Sequence, residues 1–300
     1  MTERWIGAIE AGGSKVVCGA GRSLGELVEP GGHAVLPTSP DPGETWGKVR
    51  RHFSGLPVLE ALGVASFGPL DLLAGTIGDT PKAGWRGFSW ATHARELTAG
   101  PVSLDTDVDA AALAEWRLGA AQGAQVAAYV TVGTGIGGGA VVGGRVVRGG
   151  RHPEMGHARL GRRPGDRGES ACRLHDDCWE GLASGAALRL RHGRPAETLS
   201  ADHPGWRLEA DYLGLGVANL LLTLAPDRVV LGGGVLGHPG LLEAVRRRAG
   251  DHLNGYDGLG SPGGRPLEEI VAAPGLGSLA GLAGAFVLAA DQLSQTRSAW

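Results

Sequence analysis

Two cysteines and two histidines have a spacing in this sequence that could bind a metal ion. Cys172, His175 and Cys178 follow one another at intervals of three residues, and His157 lies fifteen residues before Cys172. Two thiolates and two imidazoles suit tetrahedral Zn²⁺, and thiolates favour zinc over magnesium or calcium. These four residues would occupy all four positions of a tetrahedral ion and leave none open for water or substrate. The pattern therefore predicts a closed structural site and argues against a zinc hydrolase.

The same residues allow two other interpretations. The cysteines could form a disulfide, but the N-terminus lacks the apolar region of a signal peptide, and few cysteines are expected in a cytoplasmic protein. They could also be two buried thiols beside two surface histidines. The metal is favoured because the surrounding glycine-, proline- and arginine-rich loop has little apolar surface with which to fold. A structural zinc supplies roughly 10–16 kcal/mol of binding free energy, which also stabilises the folded loop.

Three glycine-rich turns are candidate phosphate-binding sites. The first two each lie between apolar runs, which predicts strand, turn, strand, and backbone N–H groups in such turns can form a nest for an anion. An ordinary hairpin turn is the alternative for each, and neither opens a helix as Walker A or Rossmann loops do. The recurrence predicts two related halves. The turns contain Gly12, Gly13, Ser14 and Lys15; Gly133, Thr134 and Gly135; and Gly233 and Gly234.

Three aspartates alternate at a predicted strand-to-helix junction, at positions 105, 107 and 109. If the segment is extended, all three side chains point to one face. Asp109 is well placed as the N-cap of a helix over residues 110–119, and Asp105 can be a solvated turn acid. Asp107 is therefore the candidate functional acid.

Composition restricts the class of protein. The 300 residues are enough for about two domains, and 42% hydrophobic with 20% charged residues is typical of a globular protein. The net charge of −3 favours neither nucleic acid nor an anionic membrane, and no apolar run is long enough to span one. Strands and helices are predicted to alternate, with turns and loop over residues 30–43 and helices over 44–53, 181–191, 209–224, 241–253 and 279–293.

Taken in order, the motifs resemble those of the ROK family of sugar kinases, along essentially the whole chain. Within that family, Gly68-Pro69, the segment Thr80–Trp85 and the Cys-x2-His-x2-Cys spacing resemble the bacterial fructokinase branch. The motifs that carry the resemblance are EAGGSK from Glu10, TDVDAAAL from Thr106, GTGIGG from Gly133, EMGH from Glu154, the cysteine motif with Glu180, and LGGG from Leu231.

The resemblance implies an α/β, actin-like (ribonuclease H-like) fold with two domains and a cleft between them. The expected domains are residues 1–109 and residues 110–278, the second with a zinc loop over 154–180. The C-terminal helix, about 279–293, is expected to pack back on the first domain. A homodimer is also expected.

The resemblance further implies a kinase that uses MgATP and a ketohexose, converting fructose to fructose 6-phosphate. Asp107 falls on the catalytic base, and Glu10 is expected to hold Mg²⁺ through water. The glycine turns at residues 12–15 and 133–135 are expected to bind phosphates, and Gly233 and Gly234 to border adenosine. The expected hexose ligands are Gly68, Pro69, Glu154, His157 and Glu180, of which His157 also serves zinc.

The sequence departs from the family pattern at several positions. Asp109 stands where Asn is usual, and its carboxylate is expected to raise the pKa of Asp107 by like-charge repulsion. Arg173, Leu174 and Asp176 differ from the fructokinase loop, and Ala186 replaces a proline. Glucose, mannose and N-acetylmannosamine stay open as acceptors. A sugar-responsive ROK regulator is the non-enzyme alternative, but such regulators carry a DNA-binding segment ahead of this fold, and here the first strand starts at Trp5.

Overall fold

The computed structural model describes residues 4–80, 82–258 and 264–298. They form two compact units, one holding the residues up to Ala114 and those from Leu279 onward, the other Glu115–Ser278. Within the described ranges, no helix combines the length and the apolar character that crossing a membrane requires.

The first unit is built around a five-stranded sheet. Its strands are β1 (Trp5–Ala11), β2 (Lys15–Gly21), β3 (His33–Pro37), β4 (Leu59–Ser66) and β7 (Val102–Thr106), and a separate small hairpin consists of β5 (Leu70–Asp71) and β6 (Thr76–Ile77). Its helices are α1 (Leu24–Val28), α2 (Pro42–Phe53), α3 (Trp90–Ala94), the first part of α4 (Asp107–Leu118) and α10 (Ala280–Ser298).

The sheet order is β3-β2-β1-β4-β7, with β1 antiparallel to β2 and parallel to β4. Alternate residues of β1 and β2 face opposite layers. Ala8 and Val17 pack under α10, whereas Ile9 and Val16 belong to a core with an aromatic cluster that includes Trp85. By this alternation, Glu10 and Lys15 lie on the α10 face of the sheet.

The second unit repeats the same sheet order. Its strands are β8 (Val126–Val132), β9 (Ile136–Val142), β10 (Arg145–Val146), β11 (Arg228–Gly232) and β12 (Val271–Ala272), in the order β10-β9-β8-β11-β12. Its helices are α5 (Trp179–Ala183), α6 (Gly185–His192), α7 (Gly205–Leu224), α8 (Leu241–Leu253) and α9 (Leu267–Ile270). In both sheets an antiparallel hairpin is followed by parallel strands, as the recurring glycine turns predicted.

Two of the predicted elements are wrong. Residues 33–37 form a strand rather than loop, because HAVLP pairs with β2 and completes its edge. The helix predicted over 181–191 is two helices, broken at Ser184, whose Oγ accepts a hydrogen bond from Ala187 N and caps α6. The sequence also predicts a glycine- and proline-rich loop over residues 254–266, and part of this range lies outside the described residues.

The aspartate junction also differs from the prediction. Helix α4 begins at Asp107, and its cap is Thr106, whose Oγ1 accepts a hydrogen bond from Asp109 N at 3.1 Å. Asp109 is therefore inside the first turn and fully buried, not the N-cap. Because residues 107 and 109 are helical, the three carboxylates do not share the single face expected of an extended segment.

Candidate functional site

The first glycine turn is fixed by its own hairpin hydrogen bond and by two hydrogen bonds from Thr38, the residue that follows β3. Gly12 N donates to Lys15 O at 2.8 Å, which closes the hairpin. Thr38 N donates to Ser14 O at 3.1 Å, and Thr38 Oγ1 donates to Gly12 O at 2.9 Å. The carbonyl groups are thus fixed from one side, while Ser14 and Lys15 are exposed.

Two carboxyl groups lie near this turn, at the carboxyl ends of β1 and β7. Glu10 lies one residue before the end of β1, and its Oε2 accepts a hydrogen bond from Leu282 N at 3.0 Å. Burial, together with the negative charge of Asp107, raises the pKa of Glu10 to about 7, although Lys15 and the Leu282 hydrogen bond act in the other direction. Asp107 is the half-buried first residue of α4, where the positive end of the helix dipole favours a carboxylate.

The segment after β4 adjoins the same turn. Phe67, directly after β4, donates a hydrogen bond from its N–H to Ala11 O, at the end of β1, at 2.9 Å. Gly68 and Pro69 follow Phe67 and therefore lie near the end of β1. The Gly68–Pro69 peptide bond is cis, and Pro69 O accepts a hydrogen bond from Gly78 N at 2.7 Å. The predicted sites Glu10, Gly12–Lys15, Gly68–Pro69 and Asp107 thus all lie at one end of the first unit's sheet.

The second glycine turn is bound to α5 and α6. Gly185 N donates to Gly133 O at 2.7 Å, and Ala186 N donates to Thr134 O at 3.1 Å. A proline, which the family resemblance leads us to expect at position 186, could not make the second bond, because proline has no N–H. The replacement by Ala186 therefore adds a hydrogen bond to the turn.

Glu180 connects this turn to the cysteine loop. Its Oε2 accepts a hydrogen bond from Ile136 N at 3.0 Å, and a Cβ added at Gly135 would lie only 2.4 Å from the same oxygen. Trp179 anchors α5 beside it, because its fully buried ring packs where α7 has Gly216 and no side chain. The Glu180 carboxylate is therefore fixed against the turn.

The third glycine turn packs against the end of β8, directly before the second glycine turn. Gly233 has φ +93°, and a Cβ there would lie 2.4 Å from Val132 O, immediately before Gly133. Only glycine fits this close approach. Gly233 and Gly234 are thus brought to the strand end that carries Gly133–Gly135.

The predicted zinc ligands come together in the second unit. The ligand atoms of His157, Cys172, His175 and Cys178 all lie within 4.8 Å of one another. Cys172 Sγ is 3.7 Å from His157 Nδ1 and 3.8 Å from His175 Nδ1, and Cys178 Sγ is 3.9 Å from His157 Nδ1. Zinc bonds of usual length place neighbouring tetrahedral ligand atoms about 3.5–3.8 Å apart, so the four residues fit this ion.

Backbone donors around the sulfur atoms support the same interpretation. Leu174 N donates to Cys172 Sγ at 3.4 Å and Gly181 N to Cys178 Sγ at 3.3 Å, as suits thiolate acceptors. Both cysteines are free, which excludes the disulfide in this structure. Burial raises the pKa of the metal-free Cys178 thiol to about 11, so metal binding must displace its proton.

Glu154 stands at the opposite end of the loop from Glu180. It is 44% exposed, and its carbonyl oxygen accepts a hydrogen bond from His157 N at 3.0 Å. His152 Nδ1 lies 3.6 Å from Glu154 Oε1. The short turn over Met155–His157 therefore ties the orientation of Glu154 to that of the candidate metal ligand His157.

Sequence reasoning missed two residues of the site. Thr38 was placed in a loop, although the strand pattern of HAVLP followed by Thr predicts a donor beside the hairpin turn. Lys82 was noted in a branch motif without a role, yet its Cε would lie 3.4 Å from a Cβ at Gly13.

The chain is similar to known proteins along nearly its whole length. The ROK family pattern matches residues 6–292. A fructokinase of Zymomonas mobilis is 40% identical over 300 residues, covering 94% of this chain and 95% of that protein. A fructokinase of Pediococcus pentosaceus is 37% identical, with 95% and 97% covered. A solved ROK hexokinase of Thermus thermophilus superposes with a TM-score of 0.75 at 33% identity, covering 97% of this chain and 99% of that one.

Proposed function

We propose that this chain, which belongs to the ROK family, is an ATP-dependent fructokinase that forms fructose 6-phosphate and ADP. Its two α/β units have the actin-like fold of ROK sugar kinases. The observation that carries the proposal is the match to fructokinases along almost the entire chain.

In the proposed reaction, Asp107 orients the 6-hydroxyl group of fructose and accepts its proton. The hydroxyl oxygen forms a bond to the γ-phosphorus as the bond from that phosphorus to the β–γ bridging oxygen breaks, and ADP leaves. The transition state is loose, so catalysis depends on positioning and charge stabilisation. The place of Asp107 at the start of α4 supports this role, because its half-buried carboxylate is held by a rigid element.

The proposed binding roles follow the geometry of each unit. Glu154, His157 and Glu180 bind hexose hydroxyl groups, with Gly68 and Pro69 bordering the sugar. The turns at 12–15 and 133–135 bind the phosphate groups, and Gly233 and Gly234 border adenosine. Glu10 would hold Mg²⁺ through water, and the ion would supply positive charge that neutralises the phosphate groups.

The proposed zinc site is structural. His157, Cys172, His175 and Cys178 would hold the ion, and these four ligands would fill the four positions of a tetrahedral ion. The arrangement supports a positioning role, because His157 is linked to Glu154 through a backbone hydrogen bond and Cys178 begins the helix that carries Glu180. We also propose a homodimer in the cytoplasm, where ATP is abundant and thiols stay reduced.

A coupled assay of ADP release tests the function, with MgATP and separately fructose, mannose, glucose and N-acetylmannosamine. We expect the highest kcat/KM with fructose. A different preferred hexose would overturn the fructokinase assignment but keep the kinase. A folded protein that binds fructose without releasing ADP would contradict the enzyme and favour a regulator.

The catalytic role of Asp107 has its own test. Asp107→Asn should lower kcat by at least about 1,000-fold while fructose affinity changes little, because the base is lost and the hydrogen-bonding shape is kept. Asp251→Asn, on the exposed side of α8, is the matched control and should behave as wild type. Turnover within tenfold of wild type in Asp107→Asn would exclude it as the base.

A further inference from the structure

Lysine is rare in this chain, and two lysines meet at one turn. Only Lys15, Lys48 and Lys82 occur among the 28 Lys and Arg residues, so arginine serves nearly every basic position. Lys15 ends the first glycine turn, and Lys82 reaches the same turn from a loop 67 residues later. Lysine differs from arginine in presenting a compact point charge with three rotatable donors. A lysine at this turn therefore suits a ligand that binds a compact positive charge.

The side chain of Lys82 lies over the glycine turn. A Cβ added at Gly13 would be 3.4 Å from Lys82 Cε, so the end of the lysine side chain lies close to the turn. Lys82 is half-buried, and among the residues that the structure describes none forms an ion pair or hydrogen bond with its ammonium group. A half-buried cation beside a nest of backbone N–H groups favours an anionic ligand.

The loop that carries Lys82 is firmly anchored. Trp85 N donates to Lys82 O at 2.8 Å, and the Trp85 ring is fully buried in the aromatic cluster. Trp85 Nε1 donates to Ser39 O at 2.9 Å, and the neighbouring Thr38 makes the two hydrogen bonds that hold the turn. The lysine backbone and the glycine turn are thus fixed to the same short segment.

The two lysines approach the turn from different layers. Lys15 shares the sheet face of Glu10 and lowers the pKa of that carboxyl, so its charge is partly directed there. Lys82 comes from the loop that leads into Trp85 of the aromatic cluster, and among the described residues no acid forms an ion pair with it. Lys82 is consequently a second cation, beside Lys15, that can reach an anion lying on the turn.

We propose that Lys82 is a catalytic residue whose ammonium group binds the phosphoryl group as it moves from ATP to fructose. This inference rests on the proposed kinase function. The new bond joins the fructose oxygen to phosphorus, the bond to the ADP oxygen breaks, and the hydroxyl proton goes to Asp107. Lys82 donates hydrogen bonds to the non-bridging oxygens throughout and stays protonated.

Two substitutions and a matched control test this role. Lys82→Met keeps the stem and removes the charge, and Lys82→Arg keeps the charge and changes its geometry. We expect Lys82→Met to lower kcat roughly 100-fold with fructose KM within twofold, and Lys82→Arg to recover only part of the loss. Lys48→Met, on α2, should retain wild-type kinetics. Thermal melting of each variant shows whether it is folded.

Ligand binding separates a phosphoryl contact from other roles and needs no turnover. Calorimetry should show Lys82→Met binding a non-hydrolysable ATP analogue about tenfold more weakly, with ADP and fructose unaffected. Equal weakening for ADP, weakening for fructose alone, or unchanged binding with turnover within threefold would each overturn the inference. A wild-type protein without fructose turnover would refute the proposed function, while the difference between ATP analogue and ADP would still decide whether Lys82 binds the terminal phosphate.

Discussion

At the residue scale, the carboxyl group of Glu10 has the most consequential titration. Its pKa of about 7 results first from burial and then from the charge of Asp107. Because this folded-state pKa is above the unfolded value of about 4.3, the folded protein keeps a proton that the unfolded chain has lost between these pH values. Burial of Glu10 therefore lowers stability progressively as pH rises from about 4.3 to 7.

The same titration predicts a pH dependence of catalysis. If ionised Glu10 holds Mg²⁺ through water, kcat/KM for ATP at limiting Mg²⁺ should rise between pH 6 and 8 in the wild type. Glu10→Gln should remove this rise and lower the plateau about tenfold or more. The exposed Glu243→Gln is the control. An unchanged pH profile in Glu10→Gln would assign the titration to another group.

Gly135 provides a second prediction at this scale. A methyl group there would lie 2.4 Å from Glu180 Oε2 and must displace that carboxylate, whereas a methyl group at Gly133 meets no atom within 4 Å. Gly135→Ala should therefore raise fructose KM about tenfold or more, because the displaced Glu180 carboxylate can no longer form its hydrogen bond to the sugar. Gly133→Ala should leave fructose KM unchanged. Equal fructose KM values in both variants would contradict the proposed role of Glu180.

At the element scale, we predict that the loop over residues 154–180 depends on its four candidate zinc ligands more than on apolar packing. Cys172→Ser should lose bound zinc, lower the melting temperature and weaken fructose binding, because zinc binding contributes folding energy. Cys18→Ala supplies the control, since Cys18 is buried in β2 and belongs to no metal cluster of the described residues. Metal analysis and calorimetry measure the effect. Full stability without zinc would show that the loop folds independently.

The elements themselves were predicted unequally from sequence. Helix α8 was predicted with its observed bounds, and the hairpins around both glycine turns were predicted because apolar runs flank a flexible turn. Strand β3 is not predicted because HAVLP is short, follows two glycines and ends in proline, and pairing with β2 stabilises it. Ser184 was taken as helix interior, although its side chain breaks the helix by capping the next one.

At the scale of the whole molecule, Glu115 stands where the chain passes from one unit to the other. The chain leaves the first unit after Ala114 and returns after Ser278. Glu115 is fully buried, and its carboxylate accepts hydrogen bonds from Ala120 N at 2.7 Å, Gly275 N at 2.9 Å and Leu276 N at 2.9 Å. One side chain therefore holds the backbone near both points at which the chain passes between the two units.

Glu115→Gln should destabilise the protein, because an amide nitrogen cannot accept the hydrogen bonds of these donors. At least one buried N–H group would be left unsatisfied, at a cost of about 1–3 kcal/mol. Denaturant unfolding should show a lower free energy of unfolding for Glu115→Gln. Glu243→Gln, at an exposed position of α8, should leave the free energy of unfolding unchanged. Stability equal to wild type would mean that water replaces the lost acceptor.

The sequence by itself determined the family, the candidate metal-ligand set and the turns, because each depends on residue types at short spacing. His157, Cys172, His175 and Cys178 were identifiable since only a few residue types bind zinc. Tertiary structure alone decided which side chains meet across distant segments. It capped α4 with Thr106 instead of Asp109, placed Glu180 against Gly135 and brought Lys82 to Gly13. These contacts arise from the packing of sheets, helices and loops, which local periodicity does not encode.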